Sequence, residues 1–470
     1  MGKIVLWVCL MFISGWPLLA YGGDVREAIA EGKLREVLTK DTRWSLNVVD
    51  MKTARETINA GSAKGEALVP ASLMKLVVAG ATLDRAFAGD GLHMTTTISY
   101  DGVLEDGLLR GNLYLVGLGN ALLSAAELET AVRELSRKGL RSVEGDIIAD
   151  STFFESGGFE RNRKGAAYAI PSALGLDLHT AAVTVIPTEA GEPPQVRVEP
   201  GNGDVRFSVS ARTVSGMKNT IKIRKSKDDL YHIEGNIRKG GGHIKKRFAL
   251  ESPALFAAGV LKVILVEQGV KVRGKAIEGK VPADSTMLVK IAAPELEKLI
   301  HDMNMNSLNV VADNLLLLLG AERFGRPGSA EKGIKAAEEF LAGIGELRGQ
   351  VAKMADGSGL SEKNRINSAY FTGYLYEISK RPWFKTFKES LPEAGSDRVL
   401  MNSGFDNPRF RVKTARLEEA YGLAGYGIDN NDRPFAFSYI VNGNRGEVIA
   451  AERSGGVMMR ILEGNNGGNP

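Results

Sequence analysis

One apolar run constrains this chain more than any other feature: Ala71 to Phe87, following Pro70, with a lysine near its start. The run is too long for a strand. In its first half Leu73, Met74, Leu76, Val77 and Val78 leave almost no polar face. Such a segment reads as a helix buried nearly all round, so the chain must supply structure on every side of it. Ser72 and Lys75 lie three apart and share a face of that helix. A lysine there costs several kcal/mol unless it finds partners. Burial and a nearby cation weaken a lysine's hold on its proton. A neutral lysine beside a serine hydroxyl can take the hydroxyl proton, which activates a nucleophile without histidine. The motif is short, however, and taken alone it is better explained by a helix cap followed by a snorkelling lysine.

The rest of the chain can bury such a helix. It has 470 residues, of which 44% are hydrophobic and 25% charged, as in ordinary globular proteins. The net charge of +4 is spread along the chain and forms no dense basic stripe, so no nucleic-acid partner is expected. Residues 1–23 differ from the remainder: Lys3, then an apolar stretch from Ile4 to Leu19, then Ala20-Tyr21-Gly22. That order is the pattern of a secretory signal peptide, and it implies export, with a periplasmic location expected. The only cysteine, Cys9, falls inside it, so the exported chain has neither disulfide nor thiol nucleophile. No other stretch is long and apolar enough to span a bilayer. The five histidines are scattered and none has H-E-x-x-H spacing, so the pattern of a zinc peptidase is missing and no metal is expected.

Periodicity divides the chain. A helical pattern covers Val25–Leu38, a strand Ser45–Asp50 and a loop Asn59–Lys64. From Gly89 short alternating runs dominate, among them Thr95–Tyr100 and Leu108–Val116, with a polar loop at Gly157–Gly165. Helical patterns return from Glu295 onward. Near the end Arg409–Thr414, Gly422–Ile428 and Pro434–Asn442 read as three antiparallel strands, closed by a helix over Val448–Leu462. The expected class is α+β: a sandwich with an antiparallel sheet, built from residues 24–88 and 290–470, interrupted by a large α+β insertion at 89–289.

Three further fragments bear on chemistry. Ser307-Leu308-Asn309 lies in a polar break between two apolar helical patterns, where a hydroxyl and an amide can both face a cleft. Lys413-Thr414-Ala415 closes a strand, where a lysine can bias a cleft toward anionic substrates. Asp356-Gly357-Ser358-Gly359-Leu360-Ser361 reads as a turn and lacks the G-x-S-x-G spacing of a nucleophile elbow. Each fragment alone also fits a cap, an edge strand or a turn.

Together, in this order on an exported chain, S-x-x-K, S-x-N and K-T-x resemble the signature of penicillin-binding proteins and serine β-lactamases. Some 235 residues separate Ser72 from Ser307. A long insertion at that place resembles the class C, low-molecular-mass D-alanyl-D-alanine carboxypeptidase/endopeptidase family. Ile147-Ile148-Ala149-Asp150-Ser151, Ala312-Asp313-Asn314 and Leu423-Ala424-Gly425-Tyr426 agree with it. The resemblance implies that Ser72 attacks the peptide carbonyl between two D-alanines of peptidoglycan, with Lys75 as base. It implies that Ser307 and Lys413 pass a proton to the leaving amine, Asn309 orients the substrate and Thr414 contacts its carboxylate. The N–H groups of Ser72 and residue 415 would form the oxyanion hole. β-Lactams would acylate Ser72, and neither metal nor organic cofactor is implied. The family has glycine and then Thr or Ser where this chain has Ala415 and Arg416. Arg416 either replaces the lost carboxylate contact or faces solvent, and the alternative to an active enzyme is a catalytically weakened protein of this fold that binds peptidoglycan.

Overall fold

The computed structural model describes residues 22–89, 92–159, 168–203, 205–216, 218–226, 230–345, 352–396 and 404–464. The expected signal segment through residue 21, with Cys9, lies outside the described residues, as does the expected loop from 160 to 165.

Chain segments far apart in sequence build one six-stranded sheet. In chain order the elements around the site are α1 (Gly22–Val37), β1 (Arg43–Asp50), β2 (Glu56–Ala60), α2 (Met74–Phe87), α3 (Leu296–Met305), α4 (Asn309–Phe324), α5 (Ser368–Ile378), β3 (Glu393–Ala394), β4 (Asn407–Arg416), β5 (Ala420–Ile428), β6 (Pro434–Asn442) and α6 (Arg445–Glu463). The sheet order is β2-β1-β6-β5-β4-β3 and every pairing is antiparallel.

Strand alternation sends side chains to two cores. On one face Trp44, Leu46, Val48, Phe410, Val412, Leu423, Tyr439 and Val441 pack with Leu34 of α1 and with Met458, Met459 and Leu462 of α6. On the other, Ala424, Tyr426, Ala436 and Ile440 join the largest apolar cluster, which includes Leu76, Val77, Leu315, Leu316 and Phe371. Each Val, Leu, Ile, Phe or Met among them stabilises by roughly 1.5–3 kcal/mol on full burial. The second face also carries small polar residues. Thr372 and Ser438 hydroxyls lie 3.0 Å apart, and Ser438 donates to the Ser368 carbonyl at 2.8 Å, so α5 packs closely without leaving these groups unpaired. α2 is embedded in this cluster, and every residue from Met74 to Leu83 is buried.

The region between α2 and α3 forms its own sheets. One has five strands in the order 276–278, 147–150, 113–117, 96–100, 286–291, and it is covered by the helices Ala125–Arg137 and Pro253–Glu267. Residues 180–249 add smaller sheets around Val183, Tyr231 and Ile233.

Several expected boundaries move for identifiable reasons. Asn59 and Ala60, expected in a loop, belong to β2 and pair with Asn47 and Leu46. The run Leu108–Val116 is two strands, Leu108–Arg110 and Leu113–Gly117, belonging to different sheets. The chain turns at Gly111, where a Cβ would meet the Asp101 carbonyl at 2.1 Å, while the Asp101 carboxylate accepts from the Asn112 N–H at 2.6 Å. The terminal helix starts at Arg445 rather than Val448. Asn444 caps it, accepting from Gly446 N and Glu447 N, and the Glu447 carboxylate accepts from Asn444 N in return.

Candidate active site

The start of α2 is bent to expose one hydroxyl. Ala71–Leu73 form a single 3-10 turn, with Ala71 held at φ +49°, ahead of the regular helix. A left-handed non-glycine residue costs about 1–2 kcal/mol, so its surroundings must fix it. The turn 356–361 does so by direct contact. Gly359 lies so close that a Cβ there would sit 1.8 Å from the Ala71 carbonyl, and its own φ is +80°. Glycine is therefore required at 359.

Lys75 is fully buried beneath Ser72. Its Nζ lies 3.0 Å from Ser72 Oγ, 2.7 Å from Asn309 Oδ1 and 2.6 Å from the Ser358 carbonyl oxygen. The two acceptors Asn309 and Ser358 hold N–H bonds and direct a remaining position of the amine toward the serine hydroxyl. Asn309 opens α4, and Asp313 follows one turn later. The Asp313 carboxylate accepts from Gly357 N at 3.1 Å and Ser358 N at 3.0 Å. Asp356 accepts from Gly359 N at 2.8 Å, Ser361 N at 2.7 Å and the Asn364 amide at 2.8 Å. These bonds set the position of the Ser358 carbonyl, and through it that of the amine.

Ser72, Ser307, Asn309, Thr414, Ala415 and Arg416 line one cleft of about 500 Å³, together with Tyr168, Leu360, Leu417, Glu418, Tyr421 and Arg445. Ser307 stands in the break between α3 and α4 at φ +52°. Lys413 is buried behind the cleft wall and donates to the Thr414 carbonyl at 2.8 Å. Six of the eight residues singled out in the sequence thus meet at the cleft, and the two lysines lie beneath it.

The ladder of β4 settles which of its N–H groups face the cleft. Val412 N donates to Pro392 on the open-edge side, whereas Leu417 N donates to Ala420 of the β5 side. Donors alternate along an antiparallel strand, so the Ala415 N–H belongs to the β5 ladder and the Arg416 N–H points to the open edge. Of the two, only the Arg416 N–H is left outside the β5 ladder.

A sequence model of the D-Ala-D-Ala carboxypeptidase 3 (S13) family matches residues 26–461. The chain belongs to this family. It is 28% identical over 447 residues to a D-alanyl-D-alanine carboxypeptidase of Actinomadura sp. (strain R39), covering 88% of this chain and 80% of that one. It is 22% identical over 443 residues to the D-alanyl-D-alanine carboxypeptidase DacB of Haemophilus influenzae, covering 89% and 88%. Among solved structures, penicillin binding protein 4 (dacB) of H. influenzae superposes with a TM-score of 0.76 at 22% identity, covering 92% of this chain and 99% of that one. A predatory peptidoglycan endopeptidase of Bdellovibrio bacteriovorus superposes at 0.51 with 15% identity, covering 91% and 93%. The fold is thus the α+β penicillin-binding type expected from the sequence.

The two departures from the S13 pattern have local explanations. Alternation turns Lys413 and Ala415 toward the helices, and the Ala415 methyl joins the large apolar cluster. Its cross-strand partner is Gly422, whose missing side chain leaves room for Leu73. Arg416 faces the other way. Its guanidinium donates to both carboxylate oxygens of Glu452 on α6, at 3.0 and 2.7 Å. The side chain expected to hold a substrate carboxylate is thus paired with the protein, and what Arg416 offers the cleft edge is its main chain. Neither departure obstructs the cleft, so the weakened-binder reading is not favoured.

Sequence reasoning missed Tyr168, Glu418 and Arg445 on the cleft, and the role of Asp313, Asp356 and the Ser358 carbonyl. The asparagine and glutamate three apart at 444 and 447 were a legible signal for the helix start that places Arg445. A main-chain carbonyl has no such signal.

Proposed function

We propose that this chain is an exported serine D-alanyl-D-alanine carboxypeptidase/endopeptidase of peptidoglycan, acting through an acyl-enzyme at Ser72. The observation that carries the reading is the buried Lys75 amine, 3.0 Å from Ser72 Oγ and held by Asn309 and Ser358. Ser72 Oγ attacks the carbonyl carbon of the penultimate D-alanine while its proton moves to Lys75 Nζ. The carbonyl oxygen becomes an oxyanion, received by the N–H groups of Ser72 and Arg416. The C–N bond then breaks, and the leaving amine takes a proton through Ser307, with Lys413 supplying positive charge behind the strand. Asn309 holds both Lys75 and the substrate amide, and Thr414 borders the leaving residue. Water hydrolyses the ester and restores Ser72. β-Lactams, which present a strained amide to the same hydroxyl, acylate it and stay.

Residues 1–23 act as the signal peptide on this reading, delivering the enzyme to the periplasm. Residues 24–88 and 290–470 form the peptidase part and 89–289 the insertion. Purified protein should take up fluorescent penicillin covalently, and Ser72→Ala should take up none. Lys75→Ala should acylate about 100- to 10,000-fold more slowly, the usual loss on removing a general base. An unlabelled wild-type protein would sink the reading. Release of D-alanine from a pentapeptide and cleavage of cross-linked muropeptide then measure the two activities separately.

A further inference from the structure

A cleft that receives a peptide terminus needs a group to hold the terminal charge, and Arg416 is already committed to Glu452. We propose that Arg445 is the specificity-determining residue that binds the carboxylate of the substrate's leaving residue. The proposal rests on the reading above and deepens it.

Arg445 lines the same cleft as Ser72 and Thr414. It is exposed, and among the described residues its guanidinium makes neither an ion pair nor a hydrogen bond. A guanidinium presents paired N–H donors that match a carboxylate bidentately. It is also the first residue of α6, where the helix N-terminus adds positive potential.

Its position is fixed relative to the nucleophile. The Asn442 amide accepts from Val69 N at 2.8 Å and donates to Val69 O at 3.0 Å, tying the end of β6 to the segment that enters the Ser72 turn. Asn444 and Glu447 cap one another at the helix start, and Glu447 accepts further bonds from Thr39 at 2.7 Å and Thr42 at 3.2 Å. These bonds hold the Glu447 carboxyl below its usual range, the Thr39 hydroxyl contributing most, so the cap stays ionised and formed. Arg445 is therefore an exposed side chain on a rigid base. Glu418 is the only acidic residue on the cleft wall among the described residues.

The test compares wild type, Arg445→Ala and Arg445→Lys in the full chain. Each is assayed on a pentapeptide ending in D-alanyl-D-alanine and on the same peptide as its C-terminal amide. Arg445→Ala should raise KM for the free acid about 10- to 100-fold, the weight of a charge-assisted hydrogen bond. Its kcat should stay near wild type, its activity on the amide should not change, and Arg445→Lys should recover part of the loss. Fluorescent penicillin at saturation should still label Arg445→Ala, which shows that the variant is folded. If a labelled wild type and Arg445→Ala share the same KM and the same preference for acid over amide, Arg445 has no such role. Equal losses on acid and amide overturn it too. A wild type that neither labels nor releases D-alanine overturns the enzymatic reading, and this assignment with it.

Discussion

At the scale of single residues, what was legible in the sequence was spacing, and what was not was direction. Ser72 and Lys75 could be paired because three positions on a helix share a face. Lys75 could be expected to find partners because a buried amine must. That one partner is the Ser358 carbonyl could not be read, since every residue carries a carbonyl. Arg416 is the converse case. Its type suggested a carboxylate contact, but the direction of its side chain depends on its place in the strand, and that place turns it to Glu452. Arg416→Ala should therefore leave KM for a free-acid pentapeptide within about 2-fold. Its stability should fall by no more than ~1 kcal/mol, as for other solvent-exposed pairs. Steady-state kinetics beside urea unfolding checks both. A KM rise as large as that expected for Arg445→Ala would mean that Arg416 leaves Glu452 when substrate binds.

At the scale of elements, the strands of the meander and the buried helix were legible because their periods persist over many residues. Errors gathered where a glycine or a cap decides. The alternation from Leu108 to Val116 continues across Gly111, so the pattern hides a turn made by close backbone approach. The turn 356–361 shows the same blindness at the site. Its composition reads as an ordinary turn, yet Asp356, Ser358 and Asn364 are fully buried and Gly359 presses on the Ala71 carbonyl. The turn is a wedge under Ser72, and its fit depends on one missing methyl group. Gly359→Ala should destabilise by at least ~2 kcal/mol, from left-handed strain and the clash together. It should also slow penicillin acylation, because the Ser72 turn and the Ser358 carbonyl both shift. Urea unfolding and the labelling rate measure the two effects. Normal acylation with unchanged stability would show that the wedge is not needed.

At the scale of the whole molecule, the long interval between Ser72 and Ser307 corresponds to a region between α2 and α3 that forms its own sheets. How this region meets the elements around the cleft was not legible, because it depends on hydrogen bonds between residues far apart in the chain. His179 is fully buried at the entry to the small sheets of 180–249, and its Nδ1 lies 2.7 Å from the Ile170 carbonyl. Ile170 stands two residues after Tyr168, which reaches the cleft. Nearby, Asn314 of α4 donates to the Ser172 carbonyl at 2.9 Å and to that of Gly119 at 3.0 Å, so the same segment is tied to the helix that Asn309 opens. Burial pushes the His179 imidazole down from 6.5 to about 4, against the opposing pull of the Ile170 carbonyl. The folded state therefore keeps it neutral while the unfolded chain takes up a proton below 6.5. The stability this neutral ring secures is complete above pH 6.5 and is lost as pH falls toward 4. At that limit the loss is about 3 kcal/mol. Asp177, raised by burial, acts in the opposite direction, so a variant must isolate the imidazole. Unfolding free energies of the wild type and of His179→Asn, measured from pH 7.5 to 4, should converge as the pH falls. Parallel curves would remove His179 from the acid response. Convergence would identify the buried His179 imidazole as a source of the acid response, in the segment that carries Tyr168 to the cleft.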